Sequence, residues 1–168
     1  MRILRSGPLL ARRLRAGILV LAAASAALLA TPATSYAAAN PGFVTVPVSS
    51  RAQFSLTAAL PASFAVGDCV AYSGSSVELH RPGSDNTTFL TWHQWSYTNH
   101  TNNFDQWHVT FRFLDRNGYD LLEVGPLDGS QMRHAGQVYE WTVPSGVVYA
   151  FDSGLYDAVT QVQWEGHC

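Results

Sequence analysis

The sequence predicts an all-β domain, an antiparallel β-sandwich or jelly roll of about eight to ten short strands with one disulfide. Three observations carry that expectation. Apolar and polar side chains alternate with period two, most clearly where Trp107, Val109, Phe111 and Phe113 interleave with His108, Thr110 and Arg112. Turn-forming clusters such as Arg81-Pro82-Gly83-Ser84-Asp85-Asn86 separate such runs. Cys69 and Cys168 are the only thiols, and an even count in an oxidising compartment favours a bridge between them. Polar outer rows favour antiparallel over parallel pairing.

Each element follows from local pattern. Asn40-Pro41-Gly42 turns into a strand through Val44, Val46 and Val48. Phe54, Leu56 and Thr57 suggest a second, although Gln53 to Leu60 is also the one stretch tolerable as a short helix. Phe64 to Tyr72 reads as a third strand, carrying Cys69, and Val77 and Leu79 mark a fourth. Two long polar-aromatic strands follow, over 88–97 and 106–114, joined by an Asn99-His100-Thr101-Asn102-Asn103 loop. In Asp115-Arg116-Asn117-Gly118, a type I turn with Gly118 at positive φ gives a bulged hairpin into Tyr119-Asp120-Leu121-Leu122. Tyr139, Trp141 and Val143 alternate, Pro144-Ser145-Gly146 turns, and Val147, Tyr149 and Phe151 alternate again. Asp152-Ser153-Gly154 then turns into a last strand in which Val162, Trp164 and Cys168 share the inward parity.

Residues 1–39 read as a secretory signal peptide, with 40–168 as a single β-sandwich domain. Arg2, Arg5, Arg12, Arg13 and Arg15 precede an apolar run from Ala16 to Ala30, and small residues end it with cleavage expected near Ala37 or Ala39. The run is 15 residues long, short of the roughly 20 that span a bilayer. Leu14-Arg15-Ala16 continues the Arg12-Arg13 pair poorly for twin-arginine export, so ordinary secretion is the expectation. Processing would leave five Arg against twelve acidic residues, a net charge near −7. Such a surface repels phosphate backbones and anionic headgroups, which excludes nucleic acid as a partner, and no membrane span follows the leader. The Ala-rich leader and the absence of Lys suggest a bacterial source.

Chemistry is constrained mainly by exclusion. Without Lys there is no phosphate-binding GxxxxGK loop, Schiff base or Ser-x-x-Lys nucleophile. Gly-x-Ser-x-Gly, His-Glu-x-x-His and Cys-x-x-Cys are also missing. No catalytic residue, cofactor or metal is assigned. His93 and His108 could meet across paired strands, with Asp105 or His100 from the loop as a third metal ligand, but chance explains the spacing of His93, His100 and His108 better. Asp115-x-Asn117-Gly118-x-Asp120 misplaces the glycine of a calcium loop and reads as hairpin chemistry.

The unusual region runs from Thr91 to His108, which holds three of the five Trp and three of the six His. Both faces of its first strand are mixed, with Trp92, Gln94 and Ser96 on one and His93, Trp95 and Tyr97 on the other. Aromatic faces cover the apolar side of a pyranose while amides and imidazoles bond its hydroxyls. The candidate ligand-binding residues are therefore Trp92, His93, Trp95, Tyr97, His100, Asn102 and Asn103; the plainer alternative, which the composition favours, is that Trp92 or Trp95 fills the core and residues 99–103 form an ordinary surface loop. The expected function is a secreted, extracellular, non-catalytic binding or cell-envelope-associated protein whose partner is an extracellular glycan. The alternatives are an inhibitor or interaction protein that grips another secreted protein through Asn99 to Asp105 or Gly125 to His134, and a small secreted hydrolase.

In layout, Cys69 to Cys168 is similar to the cellulose-binding modules of secreted bacterial glycoside hydrolases. The resemblance lies in cysteine placement and strand content. Those modules carry a Trp and Gly-Phe pattern after the first Cys, whereas Val70-Ala71-Tyr72-Ser73-Gly74 stands here.

Overall fold

Alternating inner rows of aliphatic and aromatic residues fold this chain into two facing antiparallel sheets. A computed structural model describes residues 42–144 and 149–168. In chain order the strands are β1 (Phe43–Pro47), β2 (Ser50–Arg51), β3 (Ser55–Ala59), β4 (Phe64–Val66), β5 (Cys69–Ala71), β6 (Ser76–His80) and β7 (Thr87–Thr88). They continue as β8 (Leu90–Thr98), β9 (Asp105–Leu114), β10 (Asp120–Met132), β11 (Tyr139–Pro144) and β12 (Tyr149–Ala150), with helix α1 (Ser153–Ala158) before β13 (Gln161–His167). The smaller sheet has the order β1-β13-β9-β10. In the larger, β2-β3-β6-β8-β5-β4 form a path and β11 also pairs with β8, while β7 and β12 make a separate two-stranded pair.

Strand β8 organises the larger sheet. β6 pairs with its first half, Leu90 to His93, and β5 with its second, Ser96 to Thr98. β11 spans both halves, from Thr91 to Ser96, so it must occupy the opposite edge. Both long edges of β8 are thus hydrogen-bonded, which fixes the direction of every side chain on it.

The core lies between the sheets. Trp107, Val109, Phe111 and Phe113 of β9 and Val162 and Trp164 of β13 meet Leu56, Val77, Leu79, Leu90 and Trp92 of the larger sheet, all buried. Trp92 sets its edge against Phe111 with ring centres 6.0 Å apart, and Phe64 approaches Trp107 at 6.0 Å. The disulfide joins Cys69 of β5 to Cys168 just beyond β13, tying one sheet to the other across 99 positions of sequence.

The predicted antiparallel sandwich and its disulfide are both present, and the 115–118 hairpin forms as expected. Gly118 has φ +84°, its N–H donates to Asp115 O at 3.1 Å, and the Asp115 carboxylate accepts from the N–H groups of Asn117 and Tyr119. Several local expectations are corrected. Residues 53–60 do not form a helix: Leu56 and Ala58 are buried between outward neighbours, and β3 pairs with β6 along its length. Phe64 to Tyr72 is a hairpin, not one strand, because Gly67 at φ +56° turns β4 into β5. Asp152 does not simply turn the chain but caps α1, its carboxylate accepting from Gly154 N at 2.7 Å. The leader with its Ala37 and Ala39 exits, and the Ser145-Gly146 turn with Val147, lie outside the described residues. Among the described residues, no helix is long and apolar enough to cross a membrane.

Candidate functional site

The alternation of β8 sorts the aromatic cluster into two populations. Trp92, Gln94, Ser96 and Thr98 point into the sandwich and are buried, while His93, Trp95 and Tyr97 point outward and are half-buried. Trp92 is therefore corrected from binding platform to core residue: it is fully buried and its indole N–H donates to Gln94 Oε1 at 2.8 Å. The inward polar oxygens are matched by indoles and carbonyls, whereas Gln94 Nε2 is buried without a hydrogen-bond partner. Ser96 Oγ donates to Val70 O at 2.6 Å and accepts from the Trp107 indole N–H. Ser96 is thus fully paired in the interior row, and Gln94 is paired there through its oxygen.

Outside, the register builds a surface around Trp95. β11 places Glu140 directly opposite Trp95 and Thr142 opposite His93. His93 Nε2 donates to Glu140 Oε1 at 3.1 Å, and its ring meets Trp95 edge-on with centres 4.1 Å apart. On the other edge, where β5 and β6 part, the link from Tyr72 to Ser75 takes over. Tyr72 N donates to Trp95 O at 2.8 Å, and Trp95 N donates to Ser75 Oγ at 3.1 Å. Gly74 lies against the Trp95 ring, and at φ +89° a side chain there would be strained. The same link brings the Tyr72 ring to 5.2 Å from that of Tyr97. Four rings, Tyr72, Tyr97, Trp95 and His93, are gathered beside one carboxylate, Glu140. Of the five Trp, Trp95 alone is not buried.

The sequence reading missed Tyr72 and Glu140. Tyr72 lies in a link outside regular strands, and Glu140 reaches the site through pairing of β11 with β8, which no local pattern announces. His100, Asn102 and Asn103 fall in the loop after β8, where His100, Asn102 and Asn103 are all exposed. The loop is braced at its base, since Thr98 Oγ1 donates to His100 O at 2.8 Å and also to the Asp105 carboxylate. Gly125 to His134, expected as an interaction loop, is mostly strand β10 paired with β9 through three register shifts.

The histidine trio does not assemble. β8 and β9 belong to different sheets, so His93 faces out from the larger and His108 from the smaller. Cys69, Cys168 and Asp105 bring ligand-type atoms within 4.8 Å of one another, but both sulfurs are in the disulfide and neither is a thiolate.

The fold and surface define a disulfide-tied antiparallel β-sandwich with an aromatic outer face on its larger sheet. The chain belongs to the family described as "Family of unknown function (DUF6294)", whose model matches residues 85–168 and so takes in all of β8 through β13. No curated protein and no solved structure matches the chain.

Proposed function

We propose that this chain is an exported, non-catalytic binding protein that holds a carbohydrate against the outer face of β8. The observation that carries this reading is the group of outward rings, Trp95, Tyr97 and Tyr72, with the His93–Glu140 pair beside them. A ring fixed on a sheet loses little conformational freedom on binding, and it covers the apolar face of a pyranose. Glu140 accepts from sugar hydroxyls, while His93 bonds them from the same side. The arginine-rich start, the apolar run from Ala16 to Ala30 and the disulfide support export to an extracellular, oxidising setting.

Titration with soluble oligosaccharides of several classes, read by Trp emission and by retention on insoluble glycans, tests the reading. The emission change and the retention are expected to vanish in Trp95→Ala. No response across all classes defeats it. A second reading has one observation in its favour: the 99–104 loop, braced at its base, exposes Phe104 and suits a grip on another secreted protein. Pull-down from secreted proteases and amylases with a loop variant, Phe104→Ser, separates the two.

A further inference from the structure

The outer face of the smaller sheet carries a second cluster, which owes nothing to the carbohydrate reading. His167 of β13 stands opposite His108 of β9, and Asp128 of β10 stands opposite His108 on its other side. All three point away from the core, because Trp107, Val109 and Gly166 are the buried members of the alternation. Directly paired residues on antiparallel strands hold their Cβ atoms about 4.5–5.5 Å apart. Two imidazoles at that separation can share one ion, with metal–nitrogen bonds of about 2.0–2.1 Å.

Asp128 prepares one of them. His108 Nδ1 donates to Asp128 Oδ1 at 2.6 Å, which fixes the tautomer and leaves the Nε2 lone pair free. A carboxylate on the far nitrogen is how metal-bound histidines are usually oriented. Glu165 shares the face, with Oε1 4.0 Å from His167 Nε2 while Arg112 Nη2 holds Oε2 at 3.2 Å. Arg112 also pairs with Glu123 at 3.1 Å, so two carboxylates flank one guanidinium, and Asp128 on His108 adds a third negative charge to the same sheet face.

We propose that His108 and His167 form a surface site for a divalent transition ion of the zinc or copper type. Asp128 acts as the positioning residue, and water completes the shell around the two imidazoles. Imidazole donors select such ions over calcium or magnesium.

Calorimetric titration of the disulfide-intact, tag-free protein with zinc chloride is expected to show one ion per chain. His108→Ala and His167→Ala should each weaken binding about tenfold or more, Asp128→Asn should weaken it by at least about tenfold, and His134→Ala should leave it unchanged. In the unaltered protein, the ring signals of His108 and His167 should shift together in NMR spectra as zinc is added. No binding at millimolar zinc, equal binding by the His108→Ala protein, or a shift of only one of the two rings would overturn the proposal. Loss of zinc binding leaves the carbohydrate titration unaffected, so the two readings fail separately.

Discussion

Replacing Gly166 with Ala drives a methyl group into the ring of Trp107. An added Cβ would stand 2.4 Å from Trp107 Cζ3 and 3.2 Å from Cε3, with Phe64 Cε1 at 3.4 Å. Carbon atoms rest at about 3.5–4.0 Å, so the ring would have to retreat by roughly 1.1–1.6 Å. Little room exists for that movement. Trp107 is buried, and its indole N–H donates to Ser96 Oγ, itself bonded to Val70 O. Overpacking of this kind costs about 1–3 kcal/mol. Displacing the ring also strips a buried donor of its partner, a further ~1–3 kcal/mol. A loss of about 3 kcal/mol, with an m-value near 2 kcal/mol/M, lowers the urea midpoint by roughly 1.5 M. Gly83→Ala is the control, since its Cβ would meet only the exposed Asp85 carboxylate, at 3.0 Å; its effect should stay within about 0.5 kcal/mol. A Gly166→Ala midpoint within ~0.2 M of the unaltered protein would refute the reasoning. Trp107 would then not be pinned where the structure places it.

Two further outcomes are expected. Reducing the Cys69–Cys168 bridge, or replacing both cysteines with Ser, should lower stability by about 4 kcal/mol, because the bridge closes a loop of 99 positions; an unchanged urea midpoint after complete reduction contradicts this. Tyr156 is buried beneath Arg51 and Arg81, whose guanidinium carbons lie 5.4 and 4.7 Å from its ring centre. Burial raises its phenol above the usual value, with the two guanidinium groups opposing that shift. Because the folded value is the higher one, this stabilisation is complete below the unfolded value, near ~10, and is lost as pH rises through the folded value. Urea midpoints of the unaltered and Tyr156→Phe proteins should therefore diverge only in the alkaline range, the unaltered one falling faster, and parallel curves would remove Tyr156 as the cause.

The fold was legible where one face is uniformly apolar. β9 announces itself through Trp107, Val109, Phe111 and Phe113, because its outer row of His108, Thr110 and Arg112 is polar throughout. β8 hides its polarity: Trp92 on the inner row and Trp95 on the outer are chemically alike, and inward Gln94 and Ser96 look like surface residues. Only the position of partners such as Trp107 decides which row is the interior. β10 was obscured by Gly125, Pro126 and Gly129, which an edge strand tolerates at its register shifts. Helix α1 spans six residues, too few for a helical period to show. Glu140 beside Trp95 and His167 beside His108 arise from pairing between distant strands. Local sequence carries no record of such register, so His93, Trp95 and Tyr97 could be named beforehand while their neighbours could not.

Acrylamide quenching of Trp emission addresses the assignment of β8's two rows, on which the proposed binding face stands. One quenchable component is expected in the native protein. It should disappear in Trp95→Phe and persist in Trp92→Phe. Persistence in Trp95→Phe, or its disappearance in Trp92→Phe, would mean that the strand presents its other row to solvent.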